Sequence, residues 1–114
     1  GKEFIQLTGN DDNAFEFNKR GGAGAIGVTA NVAAKLASDF QEACVNNINK
    51  ASEIDKLLQP LHTSLFIESN PSPVKYAASL LGMCKTTVRL PLVEKREETK
   101  KKISEALKVA KLLL

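Results

Sequence analysis

Few of the residues that serve catalysis, metal binding or cross-linking occur in this chain of 114 residues. It has no Trp, one Tyr, one His and only two Cys. A single His leaves no cluster of imidazole and thiolate ligands, so we expect neither a metal ion nor a cofactor. Two Cys without the spacing of a small disulfide scaffold indicate reduced thiols, which are typical of the cytoplasm.

Long apolar runs and a strong excess of one charge are also missing. No run of eighteen apolar residues and no signal-peptide pattern is present, which predicts a soluble, cytoplasmic protein without a membrane partner. The net charge is only +3, and the basic residues between Lys95 and Lys102 are interleaved with Glu. Because this stretch lacks aromatic or Arg-rich interleaving, a solvated helix face is favoured over a nucleic-acid patch.

Two segments do share an unusual pattern, in which apolar residues run into small polar ones and a helical pattern follows. These segments are Phe4–Asp12 and Ala23–Asn31. This repeated order of strand, polar loop and helix is typical of a parallel α/β fold, in which ligands bind at the carboxyl ends of the strands. We therefore predict parallel strands at Phe4–Thr8 and Ala25–Val28, joined by a crossover helix at Asn13–Lys19.

The rest of the chain, from Val32 to Leu114, reads as helix, with no third buried strand. Two parallel strands do not form a self-sufficient sheet, because a parallel sheet needs neighbours and cover on both faces. The chain also lacks an initiator Met. These features predict the carboxy-terminal segment of a larger α/β protein.

Residues that cap or break helices predict the helix boundaries. Asn31 should cap the first long helix and Asn46-Asn47 should end it, whereas Pro60 should kink or divide the next one. Further helices are predicted over Val74–Leu81 and along an apolar stripe near the carboxy terminus. The stripe consists of Ile103, Ala106, Leu107, Ala110, Leu113 and Leu114. The extended segment that leads to this helix comprises residues 87–92.

The reactive side chains support no catalytic constellation by themselves. Asp11 and Asp12 suit a helix cap better than a paired acid and base, although the second role stays open. His62 flanks an apolar stripe and is interpreted as a packing or surface residue. Lys35 and Lys75 lack the desolvating strand end that a Schiff-base lysine needs.

The glycine run from Gly21 to Gly24 is similar to a phosphate-binding loop but stands in the wrong context. It precedes a strand instead of opening a helix, and no Lys-Ser or Lys-Thr pair follows it. A dinucleotide or P-loop site is therefore excluded.

Several motifs, in order and spacing, resemble the carboxy-terminal part of the dihydrodipicolinate synthase family. This family belongs to the pyruvate-dependent class I aldolases, which include N-acetylneuraminate lyase. The resemblance covers essentially the whole chain. Its motifs are Leu7–Asp12, Gly21–Ala33, Pro60–His62, Glu68–Lys75 and Arg89–Leu92.

The resemblance implies an α/β fold consisting of the last two β-α units of a (β/α)₈ TIM barrel, followed by an all-helical domain. Residues 1–47 would form the barrel part, with strands seven and eight, and residues 48–114 the helical domain. A whole barrel takes about 250 residues. Accordingly, the lysine that forms the Schiff base would lie outside this chain, and the isolated chain is expected to be inactive.

The implied enzyme is a lyase that condenses pyruvate with aspartate semialdehyde in lysine and diaminopimelate biosynthesis. It would be a cytoplasmic homo-oligomer, a tetramer by resemblance. The substrate-binding residues that carry over are Gly9, where a side chain would intrude into the pyruvate pocket, and Ile26, which offers a carbonyl and an apolar wall.

Three positions depart from the family pattern. Gly27 stands where the family usually has Ser, Ala34 where Pro is frequent, and Ser72 where an aliphatic residue is common. None removes a catalytic group, but Gly27 suggests a looser eighth strand. A sister lyase and a non-catalytic helical interaction module remain the alternative functions.

Overall fold

The computed structural model describes residues 3–90 and 96–113 and consists mainly of helices around one short parallel strand pair. Two 3₁₀ turns, at Asp11–Asn13 and Thr29–Asn31, follow the two strands. The remaining elements, in chain order, are β1 (Leu7–Thr8), α1 (Ala14–Lys19), β2 (Gly24–Ala25), α2 (Ala34–Asn46), α3 (Ile48–Ser64), α4 (Ser72–Leu80) and α5 (Glu97–Val109).

The parallel pairing predicted for the two amino-terminal segments is confirmed. Leu7 pairs with Gly24 and Thr8 with Ala25. Backbone hydrogen bonds from Ala23 N to the Gln6 carbonyl and from Ile26 N to the Thr8 carbonyl, both 2.9 Å, extend the pairing on either side. Since α1 lies between the strands, this part of the chain is a β-α-β unit.

Both strands are shorter than predicted. The ladder begins at Leu7 instead of Phe4 and ends at Ala25 instead of Val28. Val28 has helical dihedral angles, φ −97° and ψ −37°, because its N–H group binds a side chain from the preceding loop and not a neighbouring strand. The carboxyl end of β2 is therefore set by a loop contact.

Two of the predictions about caps and helix breaks need correction. Asn31 does not cap α2, because it lies in the 3₁₀ turn and its side chain donates to the Val28 carbonyl at 2.9 Å. Pro60 does not divide α3, which continues through it to Ser64. Pro60 is exposed, while its neighbour Leu61 is fully buried, so packing on the opposite side of the helix keeps α3 continuous.

The remaining helix boundaries agree well with the sequence pattern. Asn46-Asn47 separates α2 from α3, and the Asn47 side chain caps α3 by accepting from Lys50 N at 3.1 Å. The fourth helix spans Ser72–Leu80, within two residues of the predicted Val74–Leu81. Of the predicted extended segment, residues 91 and 92 lie outside the described residues, as does Leu114 of the last stripe.

The core is built around α3, which packs against α2 on one side and α5 on the other. The apolar residues of α3 recur at helical spacing and are almost completely buried. From α5, Ile103 and Leu107 are fully buried against them, and α4 packs on α5. The buried apolar residues at the start of α1, along α3 and directly after α3 are Ala14, Ala51, Ile54, Leu58, Leu61 and Leu65.

Truncation of Leu61 should test whether α3 is the centre of the core. Leu61 is 0% exposed, so Leu61→Ala should lower the free energy of unfolding by about 2–5 kcal/mol through lost burial and a residual cavity. Urea unfolding followed by circular dichroism measures this. Val45→Ala truncates a side chain that is 86% exposed and serves as the control. Equal losses in the two variants would contradict the assignment of the core.

Candidate functional site

Gly9 directly follows β1 and Ile26 directly follows β2, so both residues lie at the carboxyl edge of the strand pair. The N–H of Ile26 donates to the carbonyl of Thr8, the residue directly before Gly9, at 2.9 Å. The Ile26 side chain is 72% exposed, and Gly9 is also exposed. The structure therefore brings the two predicted substrate residues together on an open surface.

Gly9 is not required by the packing of the described residues. A Cβ added there meets no heavy atom within 4 Å, and its backbone does not adopt the positive φ that favours glycine. Neither crowding among the described residues nor a left-handed backbone conformation therefore calls for a glycine at this position.

Asp11 makes a contact that sequence reasoning missed. It does not cap α1, whose N-cap is Asn13 without a side-chain hydrogen bond. Instead its Oδ2 atom accepts from the N–H groups of Val28, at 2.7 Å, and Thr29, at 3.1 Å. The carboxylate thus caps the 3₁₀ turn after β2, seventeen residues further along the chain, and joins the loops that follow the two strands.

Gly27 makes this contact sterically possible. A Cβ at Gly27 would lie closer than 3.0 Å to Oδ1, Cγ and Oδ2 of Asp11, a separation that real Cβ atoms essentially never show. The strand ladder has already ended at Ala25, two residues before Gly27. The Asp11 carboxyl group fills the space that the missing side chain leaves.

A buried polar pair continues the network from the loop to α3. Thr29 is 0% exposed and His62 is 6% exposed, and their Oγ1 and Nδ1 atoms are 2.7 Å apart. The interpretation of His62 as a packing residue is confirmed, but its hydrogen-bond partner was not predicted. A lone His beside an apolar stripe and a Thr directly after a strand were the only signals in the sequence.

Burial determines the protonation of His62. Desolvation lowers the pKa of the imidazole below its ordinary value, because an apolar environment disfavours the charged form. The carboxylates of Asp11, Asp55 and Asp12 act in the opposite direction but do not reverse the effect. His62 is therefore a neutral partner of the Thr29 hydroxyl near pH 7.

A cavity of about 290 Å³ lies beside this network, between the strand pair and helices α2 and α3. Asp11, Gly27 and His62 line it, together with residues of α2 that include Ala34, Ala37, Ser38 and Gln41. Neither Gly9 nor Ile26 lines it. The Asp11 network thus lies next to the predicted substrate surface but faces a separate space.

The other reactive side chains of the described residues lie apart from both spaces. Lys35 forms a surface ion pair with Asp39 at 3.0 Å, and the Lys75 ammonium donates to the Thr87 carbonyl. Cys44 is half-buried, Cys84 is exposed, and both are free thiols. Within residues 3–90 and 96–113, no group of three His, Cys, Asp or Glu side chains is placed to hold a metal ion.

The lowered pKa of His62 predicts a loss of stability in mild acid. The unfolded chain takes up a proton near the ordinary pKa of about 6.5, before the folded chain does, so stability is complete above that pH and falls below it. His62→Gln removes this titration. The variant should therefore lose less stability than the parent chain between about pH 7 and 5, as measured by urea midpoints at a series of pH values. Parallel pH profiles would show that His62 does not titrate on unfolding.

Comparisons with known proteins extend these observations to a family. The model of the dihydrodipicolinate synthetase family matches residues 1–110. A 4-hydroxy-tetrahydrodipicolinate synthase from Pelagibacter ubique is 62% identical over 117 aligned residues, covering 99% of this chain and 40% of the relative. The chain thus spans about 40% of the length of the curated relatives it matches.

Solved structures give the same result. The dihydrodipicolinate synthase of Thermotoga maritima superposes with a TM-score of 0.93 at 38% identity, covering 97% of this chain and 38% of that one. The synthase of Acinetobacter baumannii, solved in complex with pyruvate, gives a TM-score of 0.89 at 34% identity and covers 96% of this chain and 38% of its own. The motifs, the β-α-β unit and these matches together show that the chain belongs to the dihydrodipicolinate synthetase family.

Proposed function

We propose that this chain is the carboxy-terminal part of a Schiff-base lyase that condenses pyruvate with aspartate semialdehyde in lysine and diaminopimelate biosynthesis. The observation that carries the proposal is the parallel β-α-β unit whose carboxyl edge presents Gly9 and Ile26 side by side. The identity of 62% to a 4-hydroxy-tetrahydrodipicolinate synthase supports this reaction over that of a sister lyase.

Pyruvate is the substrate that the two residues would contact. Gly9 leaves open space where a side chain would stand, and Ile26 places an exposed apolar side chain next to that space. A small keto acid needs such a combination of close backbone approach and apolar wall. The pyruvate complex of the Acinetobacter baumannii relative supports the same substrate.

The rest of a (β/α)₈ barrel would cover the apolar surface that this chain exposes at its strands. Phe4 and Ile5 are 73% and 74% exposed, and Leu7 is 48% exposed. Parallel strands are normally buried on both faces, so neighbouring strands are expected here. In this arrangement residues 1–47 contribute strands seven and eight with their helices, and residues 48–114 form the appended helical domain.

The lysine that binds pyruvate would come from outside these residues. A Schiff-base lysine must be desolvated so that its pKa falls and the free amine can attack. Lys35 is on the surface in an ion pair with Asp39, and Lys75 is half-buried and donates to the Thr87 carbonyl. Both ammonium groups are held by oxygen atoms away from the predicted substrate surface, which supports a catalytic lysine on an earlier strand.

The resemblance extends the proposal to the assembly and location of the enzyme. A cytoplasmic homo-oligomer, in the family a tetramer, is the expected state, with no nucleic-acid or membrane partner. Among the described residues, no helix is both long enough and apolar enough to cross a bilayer.

The function can be tested with a chimera in which this chain replaces the matching 40% of the Pelagibacter ubique synthase. Burial of the exposed strand surface in the barrel should give a folded enzyme that condenses pyruvate with aspartate semialdehyde, measured by coupled assay. The isolated chain, incubated with pyruvate and borohydride, should give no adduct by mass spectrometry. Turnover of N-acetylneuraminate in place of the condensation would favour a sister lyase, and a stoichiometric adduct on the isolated chain would contradict the proposed location of the lysine.

Gly9→Val in the same chimera tests the pyruvate pocket. The described residues leave room for the new side chain, so the fold should be retained, whereas bound pyruvate should be obstructed. We expect a loss of about a hundredfold or more in kcat/KM for pyruvate, as misplacement in a pocket commonly causes. The melting temperature and far-ultraviolet circular dichroism of the variant provide the control. Unchanged kinetics would mean that Gly9 is only a turn residue.

A further inference from the structure

The contact between Asp11 and the loop after β2 is the only hydrogen-bonded link between the two loop segments at the carboxyl edge that involves a carboxylate, within the described residues. Two consecutive N–H groups, those of Val28 and Thr29, converge on one oxygen atom. Hydrogen bonds to an ionised acceptor are stronger than neutral ones and hold their partners at short distances. The contact therefore fixes the position of one loop relative to the other.

The predicted substrate residues lie next to this contact on both of the segments that it joins. Gly9 precedes Asp11 by two residues, and Ile26 directly precedes Gly27. The strand ladder ends with the bond between Ile26 N and the Thr8 carbonyl. Beyond that bond, the Asp11 carboxylate holds the two loop segments together.

Gly27 and Asp11 form a matched pair. A side chain at Gly27 and the observed position of the Asp11 carboxyl group are mutually exclusive, since the added Cβ would overlap that group. A glycine at position 27 is therefore a condition of the Asp11 contact.

The other end of the contact is anchored in the core. Thr29, which donates its N–H to Asp11, is fully buried, and its hydroxyl group pairs with His62 of α3 at 2.7 Å. A displacement of Asp11 would leave the N–H groups of Val28 and Thr29 without their acceptor. Rearrangement of that turn would move the adjacent Ile26.

We infer that Asp11 is a positioning residue for the pyruvate pocket, which it serves by holding the Ile26 segment against the Gly9 turn across the side-chain-free Gly27. This inference rests on the proposed function. Asp11 takes no proton in this role; it acts as a hydrogen-bond acceptor, and the open alternative of an acid or base at Asp11 makes a different prediction.

The test uses kinetics of the active chimera with pyruvate as the varied substrate. Asp11→Ala should raise KM for pyruvate by about ten- to a hundredfold with a smaller change in kcat, since the pocket wall is displaced but no reacting group is removed. Asp11→Asn retains an acceptor oxygen of the same shape and should recover most of the activity. Asp39→Ala, which removes a carboxylate from a surface ion pair, is the matched control and should leave KM unchanged.

A double-mutant cycle tests the matched pair. Gly27→Ala should displace the carboxylate and reproduce much of the Asp11→Ala effect. Because both changes disrupt one contact, the double variant should be no worse than the more severe single variant. Additive losses would overturn the inference, because they would show that Gly27 and Asp11 act independently.

Other results would overturn it in recognisable ways. A lower melting temperature of Asp11→Ala with unchanged KM for pyruvate would give Asp11 a structural role only. A loss in Asp11→Asn equal to that in Asp11→Ala would favour an acid or base. If the parent chimera neither condenses pyruvate with aspartate semialdehyde nor binds pyruvate, the proposed function fails and the inference fails with it; in an active chimera, the inference alone is at stake.

Discussion

The arrangement at the carboxyl edge depends on the hydrogen bonds that one carboxylate accepts from the chain after β2. Asp11 supplies the acceptor for two backbone N–H groups that the strand ladder no longer satisfies. Unpaired backbone groups are costly when they are removed from water, so a turn at this position needs such a partner. Strand termination, the 3₁₀ turn and the orientation of Ile26 all follow from that requirement.

The same contact couples the loop after β2 energetically to helix α3. Thr29 donates its backbone N–H to Asp11, and its hydroxyl group pairs with His62, so the loop at the strand end is tied to the central helix of the core. Buried polar groups stabilise a structure only when their partners are in place. The predicted substrate surface is in this way coupled to the packing of α3, although neither Gly9 nor Ile26 belongs to that helix.

The environment of the strands also explains why the chain presents an apolar surface. Helices α2 to α5 bury their apolar stripes against one another. The strand segment exposes Phe4, Ile5 and Ile26 instead. A strand inside a parallel sheet has a hydrogen-bonded neighbour on each side, whereas among the described residues each strand of this pair has one on a single side. The proposed barrel accounts for both the exposure and the position of Gly9 and Ile26.

Sequence alone determined the elements whose signals are local. Period-3.6 stripes located α3 and α5, Asn47 marked the boundary of two helices, and the repeated strand-to-loop pattern gave the parallel pair. Residue motifs also gave the family. In each case a few neighbouring residues carry the information, because helix periodicity and capping operate over one or two turns.

Tertiary structure decided the contacts between residues far apart in the chain. Asp11 or Asp12 was expected to cap the helix next to them, but Asp11 binds a turn seventeen residues away, and Gly27 accommodates that carboxylate. His62 gave no sign of Thr29 as its partner. Pairs of this kind arise only when β1, β2 and α3 are brought together, since hydrogen-bond geometry and steric exclusion depend on positions in space that sequence spacing does not encode.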